Sequence, residues 1–127
     1  MFSHVVLGSN DIERSRRFYD AILATLGARP AITDAKGRLI YRHNGANLLI
    51  TAPIDGQPAT HGNGSTIGFG AASAEQALAW HAAGVANGGT SIEDPPGVRE
   101  GAAGTMYLAY LRDPDGNKLC AMHMIAK

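Results

Sequence analysis

Cysteine is nearly absent from this chain. Cys120 stands alone, which excludes an internal disulfide framework and a zinc site built from several thiolates. An excess of charge of one sign is also missing. Eleven Lys and Arg balance eleven Asp and Glu, so there is no basic stripe for a phosphate backbone and no nucleic-acid partner is expected. No apolar run approaches the length that spans a bilayer, so no membrane partner is expected. The opening Met1-Phe2-Ser3-His4 lacks the basic and apolar regions of a signal peptide. A reducing cytoplasm is the compartment these absences fit.

What is present is a globular balance, 45% apolar and 17% charged, in 127 residues, about one domain. The chain is also written twice. Sliding it by sixty-two positions sets Ser3 on Ser65, Val5 on Ile67, Leu7 on Phe69, Phe18 on Trp80 and Gly27 on Gly89. Self-similarity of this kind organises a fold before any local feature does. Each half is small for a core of its own, so the two are expected to share one. The expected division is module one over 1–52, a linker over 53–64 and module two over 65–127.

Phe2 to Leu7 alternates as a strand, with His4 and Val6 on one face and Val5 and Leu7 on the other. Asn10 to Glu13 reads as a capping box with Asn10 at the N-cap. The helix that follows presents Phe18, Tyr19, Ile22, Leu23 and Leu26 at helical spacing, and Gly27 ends it. Strands are expected around 31–33, 38–42 and 47–51. In the second half, 66–71 is the strand and Ser73 with Gln76 repeats the cap. Leu78, His81 and Val85 share one face of the second helix, which Gly88-Gly89 stops. Strands are expected over 90–93, 106–112 and 118–123, with a long loop over 95–104. Asp113-Pro114-Asp115-Gly116-Asn117 is a hairpin turn, and turn chemistry suffices to explain it.

The pattern Phe2-x-His4, Asn10-Asp11, Ser15-x-x-Phe18-Tyr19, Leu23 and Leu26-Gly27 resembles the first module of the vicinal oxygen chelate superfamily. Tyr110-Leu111-x-Asp113-Pro114-Asp115-Gly116-Asn117-x-Leu119 resembles its closing hairpin. The superfamily includes glyoxalase I, bleomycin- and fosfomycin-resistance proteins and extradiol dioxygenases. The resemblance implies an α+β fold in which two βαβββ modules form one curved mixed sheet that cups a cavity. It also implies a homodimer, and in metal-dependent members a divalent metal held at four cavity-facing positions.

Those positions map to His4, Thr66, Leu49 and Cys120. Only His4 is an ordinary ligand for a first-row metal; it is also the candidate general base, because imidazole titrates near neutrality. Cys120 is the second candidate catalytic residue, and a thiol needs a neighbouring cation or metal to ionise. Thr66 and Leu49 pass to substrate binding. Tyr107, Glu93 and Arg99 join them, Arg99 as a clamp for an anionic group. His43, His61, His81 and His123 read as surface or packing residues. The expected function is a glyoxalase-like protein that binds a small molecule in the cup, with lyase or isomerase chemistry at an eroded metal site. The alternative is metal-free binding and sequestration, as in bleomycin-resistance proteins. An extradiol dioxygenase is disfavoured, because Thr66 and Cys120 replace ligands that its iron requires.

Overall fold

The computed structural model describes residues 1–127. The first module runs β1 (His4–Gly8), α1 (Ile12–Ala24), β2 (Ile32–Thr33), β3 (Leu39–His43) and β4 (Ala46–Thr51). The second runs β5 (Ile67–Gly70), α2 (Ala74–Ala86), β6 (Thr90–Ser91), β7 (Gly97–Gly101), β8 (Gly104–Arg112) and β9 (Lys118–Ala126). The fold is α+β, and its hydrogen bonding is divided between two mixed sheets. One has the order β1-β4-β3-β2, the other β5-β9-β8-β6, with β7 also paired to β8. No helix is long and apolar enough to cross a membrane.

The repeat is visible in the hydrogen bonds. Each module's first strand lies parallel to its last, β1 on β4 and β5 on β9. Each pairing closes the same way, through Ser9 N–H to the Thr51 carbonyl at 2.8 Å and Ala71 N–H to the Met122 carbonyl at 2.8 Å. Ser9 and Ala71 are sixty-two residues apart, as the sequence offset requires.

Three local expectations are corrected. The cap of α1 is Asp11, whose carboxylate accepts from Arg14 N–H at 3.1 Å. Asn10 instead pins the linker, accepting from Ala59 N–H at 2.7 Å and donating to the Ala59 carbonyl at 3.3 Å. The loop expected over 95–104 contains β7, which pairs antiparallel with β8 from Gly97↔Leu108 to Gly101↔Gly104. Flanking prolines and glycines hid a strand with only one large apolar residue, Val98. On α2, Leu78 and Val85 are about half exposed, and the stripe facing inward is Ala77, Trp80 and Gly84. This helix is apolar nearly all round, so periodicity alone does not say which side faces the core.

The core is one cluster that spans both modules. Phe18, Tyr19 and Ile22 of α1 meet Trp80 of α2, with Leu39 and Ile50 from one sheet and Leu111 and Leu119 from the other. The helices approach closely because residue 84 is glycine: a Cβ there would collide with Leu111 and crowd Ile22 and Phe18 at 3.3 Å.

The 113–117 turn does more than reverse the chain. Asp113 is 4% exposed and caps its own turn, accepting from Asp115 N–H and Asn117 N–H at 2.9 Å. Its other oxygen accepts from Asn117 Nδ2 at 2.8 Å and from the Tyr19 hydroxyl of α1 at 2.5 Å. Asp115 takes the Arg14 guanidinium at 2.8 Å and Asn10 N–H at 2.9 Å. Asn117 reaches the Gly8 carbonyl of β1 at 3.2 Å. Turn chemistry shapes the loop, and three polar side chains make it the clasp between modules.

The clasp and the first sheet also set an alkaline limit. Burial raises the Tyr19 phenol well above its ordinary value, and the nearby Asp113 adds to this. Burial and the Asp20 carboxylate raise Tyr41, whose hydroxyl donates to Asp20 at 2.6 Å. Both stay protonated in the fold, whereas the unfolded chain ionises them near pH 10. Their contribution is complete below about pH 10 and is lost as pH rises beyond it. Thermal melts are expected to be level below about pH 9.5 and to fall above about pH 10. Tyr41→Phe should flatten that fall; an unchanged alkaline slope in this variant would refute the assignment.

Candidate functional site

Strand alternation sorts the side chains into two faces. Val5, Leu48, Ile50, Leu119, Ala121, Ala109 and Leu111 pack toward the helices. His4, Val6, Asn47, Leu49, Leu108, Tyr110, Cys120 and Met122 therefore lie on the other faces, the inner surface of the cup. The register pairs Val6 with Leu49 and Gly68 with Cys120, so Leu49 and Cys120 stand at matching points of the two modules.

The four positions do not make a metal site. His4 is exposed, and its Nδ1 lies 2.7 Å from the Ser3 hydroxyl. Thr66 is exposed just before β5. Leu49 carries no donor. Cys120 is 7% exposed; burial pushes its thiol up, the Tyr110 hydrogen bond partly offsets this, and Glu93 and Lys118 act in smaller, opposite senses. Nowhere in the chain do three His, Cys, Asp or Glu side chains come together in a way that would hold a metal ion. One imidazole, one protonated thiol and two non-ligands do not suit a divalent cation.

The remaining histidines do not join His4. His81 bonds the Ser91 hydroxyl through Nε2 at 2.9 Å, and burial lowers its pKa. His123 Nδ1 lies 3.1 Å from the Ala71 carbonyl. His61 packs where a Cβ on Gly116 would meet its Nδ1 at 3.1 Å. Tyr107 is a correction. It pairs with His123 and packs against the core, on the helix side of β8.

The inner face of the second sheet brings together Cys120, Glu93 and Arg99, with two residues that sequence reasoning misses. Tyr110 pairs with Cys120 across the β8–β9 hairpin. Lys118 sits with its ammonium 5.1 Å from the Tyr110 ring centroid and ion-pairs with Glu93. Counting outward from the turn finds Tyr110, because hairpin partners in this register have numbers summing to 230. Glu93 holds φ at +59°, a left-handed conformation uncommon for a residue with a side chain. Arg99 folds back so that its guanidinium donates to the Pro95 carbonyl at 2.7 Å and the Val98 carbonyl at 3.3 Å. Burial raises the Tyr110 phenol, with Cys120 and Glu93 adding to it and Arg99 opposing.

On the opposite, helix-facing side of the sheets lies a cleft of about 360 Å³ between the modules. Leu23 and Leu26 of α1, Tyr41 and Leu48 of the first sheet, and Ile67 and Phe69 of β5 line it. No Asp, Glu, Lys or Arg does. Its volume suits a small organic molecule. Gly68 borders the cleft and pairs with Cys120, so cleft and polar cluster are one strand apart but on opposite faces of the sheet.

Comparison with known proteins agrees with this architecture. The model of the Glyoxalase/Bleomycin resistance protein/Dioxygenase superfamily matches residues 1–121. A crystal structure of a glyoxalase/bleomycin resistance protein from Albidiferax ferrireducens T118 is 62% identical. It superposes with a TM-score of 0.94 over 97% of this chain and 98% of that one. A glyoxalase/bleomycin resistance protein/dioxygenase family enzyme from Burkholderia phytofirmans PsJN shares the fold at 19% identity, with a TM-score of 0.74 over 97% and 98% of the two chains. A lactoylglutathione lyase from Agrobacterium tumefaciens does so at 17% identity, with a TM-score of 0.67 over 97% and 92%. No match was found among curated proteins. With the repeated module, the clasped hairpin and a matching family model over nearly its whole length, the chain belongs to the Glyoxalase/Bleomycin resistance protein/Dioxygenase superfamily.

Proposed function

We propose that this protein binds a small organic molecule in the apolar cleft between its modules, without a resident metal. The observation that carries this reading is the ligand-sized apolar cleft between two modules whose metal positions hold His4, Leu49, Thr66 and Cys120. Binding is favoured over lyase or isomerase chemistry because no carboxylate, ammonium, guanidinium or thiol lines the cleft. His4 and Cys120, the candidate catalytic residues, lie on the other face of the sheets, and burial pushes the Cys120 thiol up.

The test has two parts. Protein purified without chelators is expected to carry well under one equivalent of zinc, nickel, manganese or iron by elemental analysis. It is also expected to bind the neutral dye Nile red saturably, equally with and without EDTA. Ala46→Trp should weaken that binding about tenfold, as expected where a bulky ring replaces ligand contacts worth about 1.4 kcal/mol. Ala46 lines the cleft at the exposed start of β4, on the same face as Leu48, so the ring enters the cleft without displacing the core. One equivalent of metal that disappears in His4→Ala would restore the metalloenzyme reading and overturn this one.

A further inference from the structure

The charges of the second sheet's inner face are not balanced. Lys118 is neutralised by Glu93, and the chain accepts a left-handed backbone at Glu93, where that carboxylate originates. Arg112 donates to the Gly116 carbonyl of its own hairpin at 2.7 Å. Arg99 has no carboxylate partner; the ion pairs of the chain involve Arg14, Arg16, Arg38 and Lys118.

Arg99 is nevertheless held in place. Two backbone carbonyls fix its guanidinium, and they leave donors of the planar fork free. Residue 97 is glycine, and a Cβ there would approach the same guanidinium at 3.2 Å. β7 pairs Arg99 with Met106 and Gly97 with Leu108. The side chain therefore stands over the face that carries Met106, Leu108 and Tyr110. A half-buried, pre-oriented and uncompensated guanidinium beside an apolar surface is a receptor for an acid group.

We infer that this inner face takes an amphipathic organic anion, its carboxylate or similar acid group on Arg99 and its apolar body over Met106 and Leu108. This inference goes beyond the small-molecule reading above, whose cleft lies on the other side of the sheet, and adds an acid-binding position. It uses none of the four metal positions.

Two fluorescent probes separate the inference from the reading beneath it. The amphipathic anion 8-anilinonaphthalene-1-sulfonate and the neutral Nile red are titrated into wild-type protein and Arg99→Gln, with circular dichroism to confirm that the variant is folded. Arg99→Gln is expected to weaken the anion about tenfold or more, the usual loss when a charge-assisted hydrogen bond is removed. Nile red affinity should stay within about twofold, because its binding has no charged contact to lose. Raising sodium chloride from about 0.05 to about 0.5 M should weaken only the anion. Loss of less than about threefold for the anion, or equal loss for both probes, overturns the assignment of Arg99. If Nile red fails to bind wild-type protein saturably, it is the small-molecule reading itself that fails.

Discussion

Asp113→Ala is expected to destabilise the protein by about 3–5 kcal/mol, the range for breaking a buried polar network by removing its central acceptor. The substitution leaves the Tyr19 hydroxyl without its acceptor at a position with no solvent exposure. It also strips the Asn117 amide and two turn N–H groups of their partner. Each stranded donor costs about 1–3 kcal/mol when buried. In a domain of this size the melting temperature should fall by roughly 10–15 °C. Asp113→Asn should also be costly, because its amide would present N–H groups to donors. Urea unfolding measures both. A loss under about 1 kcal/mol for Asp113→Ala would mean that the hairpin is only a turn and that the modules are held by their apolar core alone.

Trp80→Ala is expected to cost about 3–5 kcal/mol as well, by a different route, the removal of a large core side chain that neighbours only partly refill. Trp80 is fully buried, with its ring centroid 6.0 Å from that of Phe69. Phe69 also lines the cleft, so the loss should reach the binding surface, and Nile red affinity should drop alongside stability. Trp80→Phe separates volume from polarity. The indole N–H has no partner, and its removal relieves a penalty of about 1–3 kcal/mol that offsets lost packing. Trp80→Phe should therefore cost only about 1 kcal/mol, within the range for well-tolerated core exchanges. Equal losses for Phe and Ala would show that the unpartnered indole carries no penalty.

Much of the fold is legible in the order of residues alone. Val5 on Ile67 and Phe18 on Trp80 locate two equivalent strands and two equivalent buried rings, because apolar spacing follows from strand and helix geometry. The matching of Leu49 to Cys120 does not follow from that offset, which sends Leu49 to Leu111; the family resemblance implies it, and the pairing of Val6 with Leu49 and of Gly68 with Cys120 displays it. Other features are less accessible. Asp11 and Asn10 are both good caps, and Asp11 takes the role because Asn10 is engaged by Ala59, forty-nine residues away. Tyr107 and Tyr110 are both strand aromatics. Only the pairing of β8 with β9 decides that Tyr107 faces the helices and Tyr110 faces Cys120.

The sequence by itself determined the two modules, their shared core and the absence of a full ligand set at the metal positions. These depend on residue type and spacing along the chain, which folding does not change. Tertiary structure decided the rest. It turned a turn motif into a clasp by carrying Tyr19 to Asp113 and Arg14 to Asp115. It gathered Glu93, Arg99, Tyr110, Lys118 and Cys120 on one face and left Arg99 without a counter-charge. Such properties depend on which groups lie within a few ångströms after folding, because charge balance and hydrogen-bond satisfaction act through space.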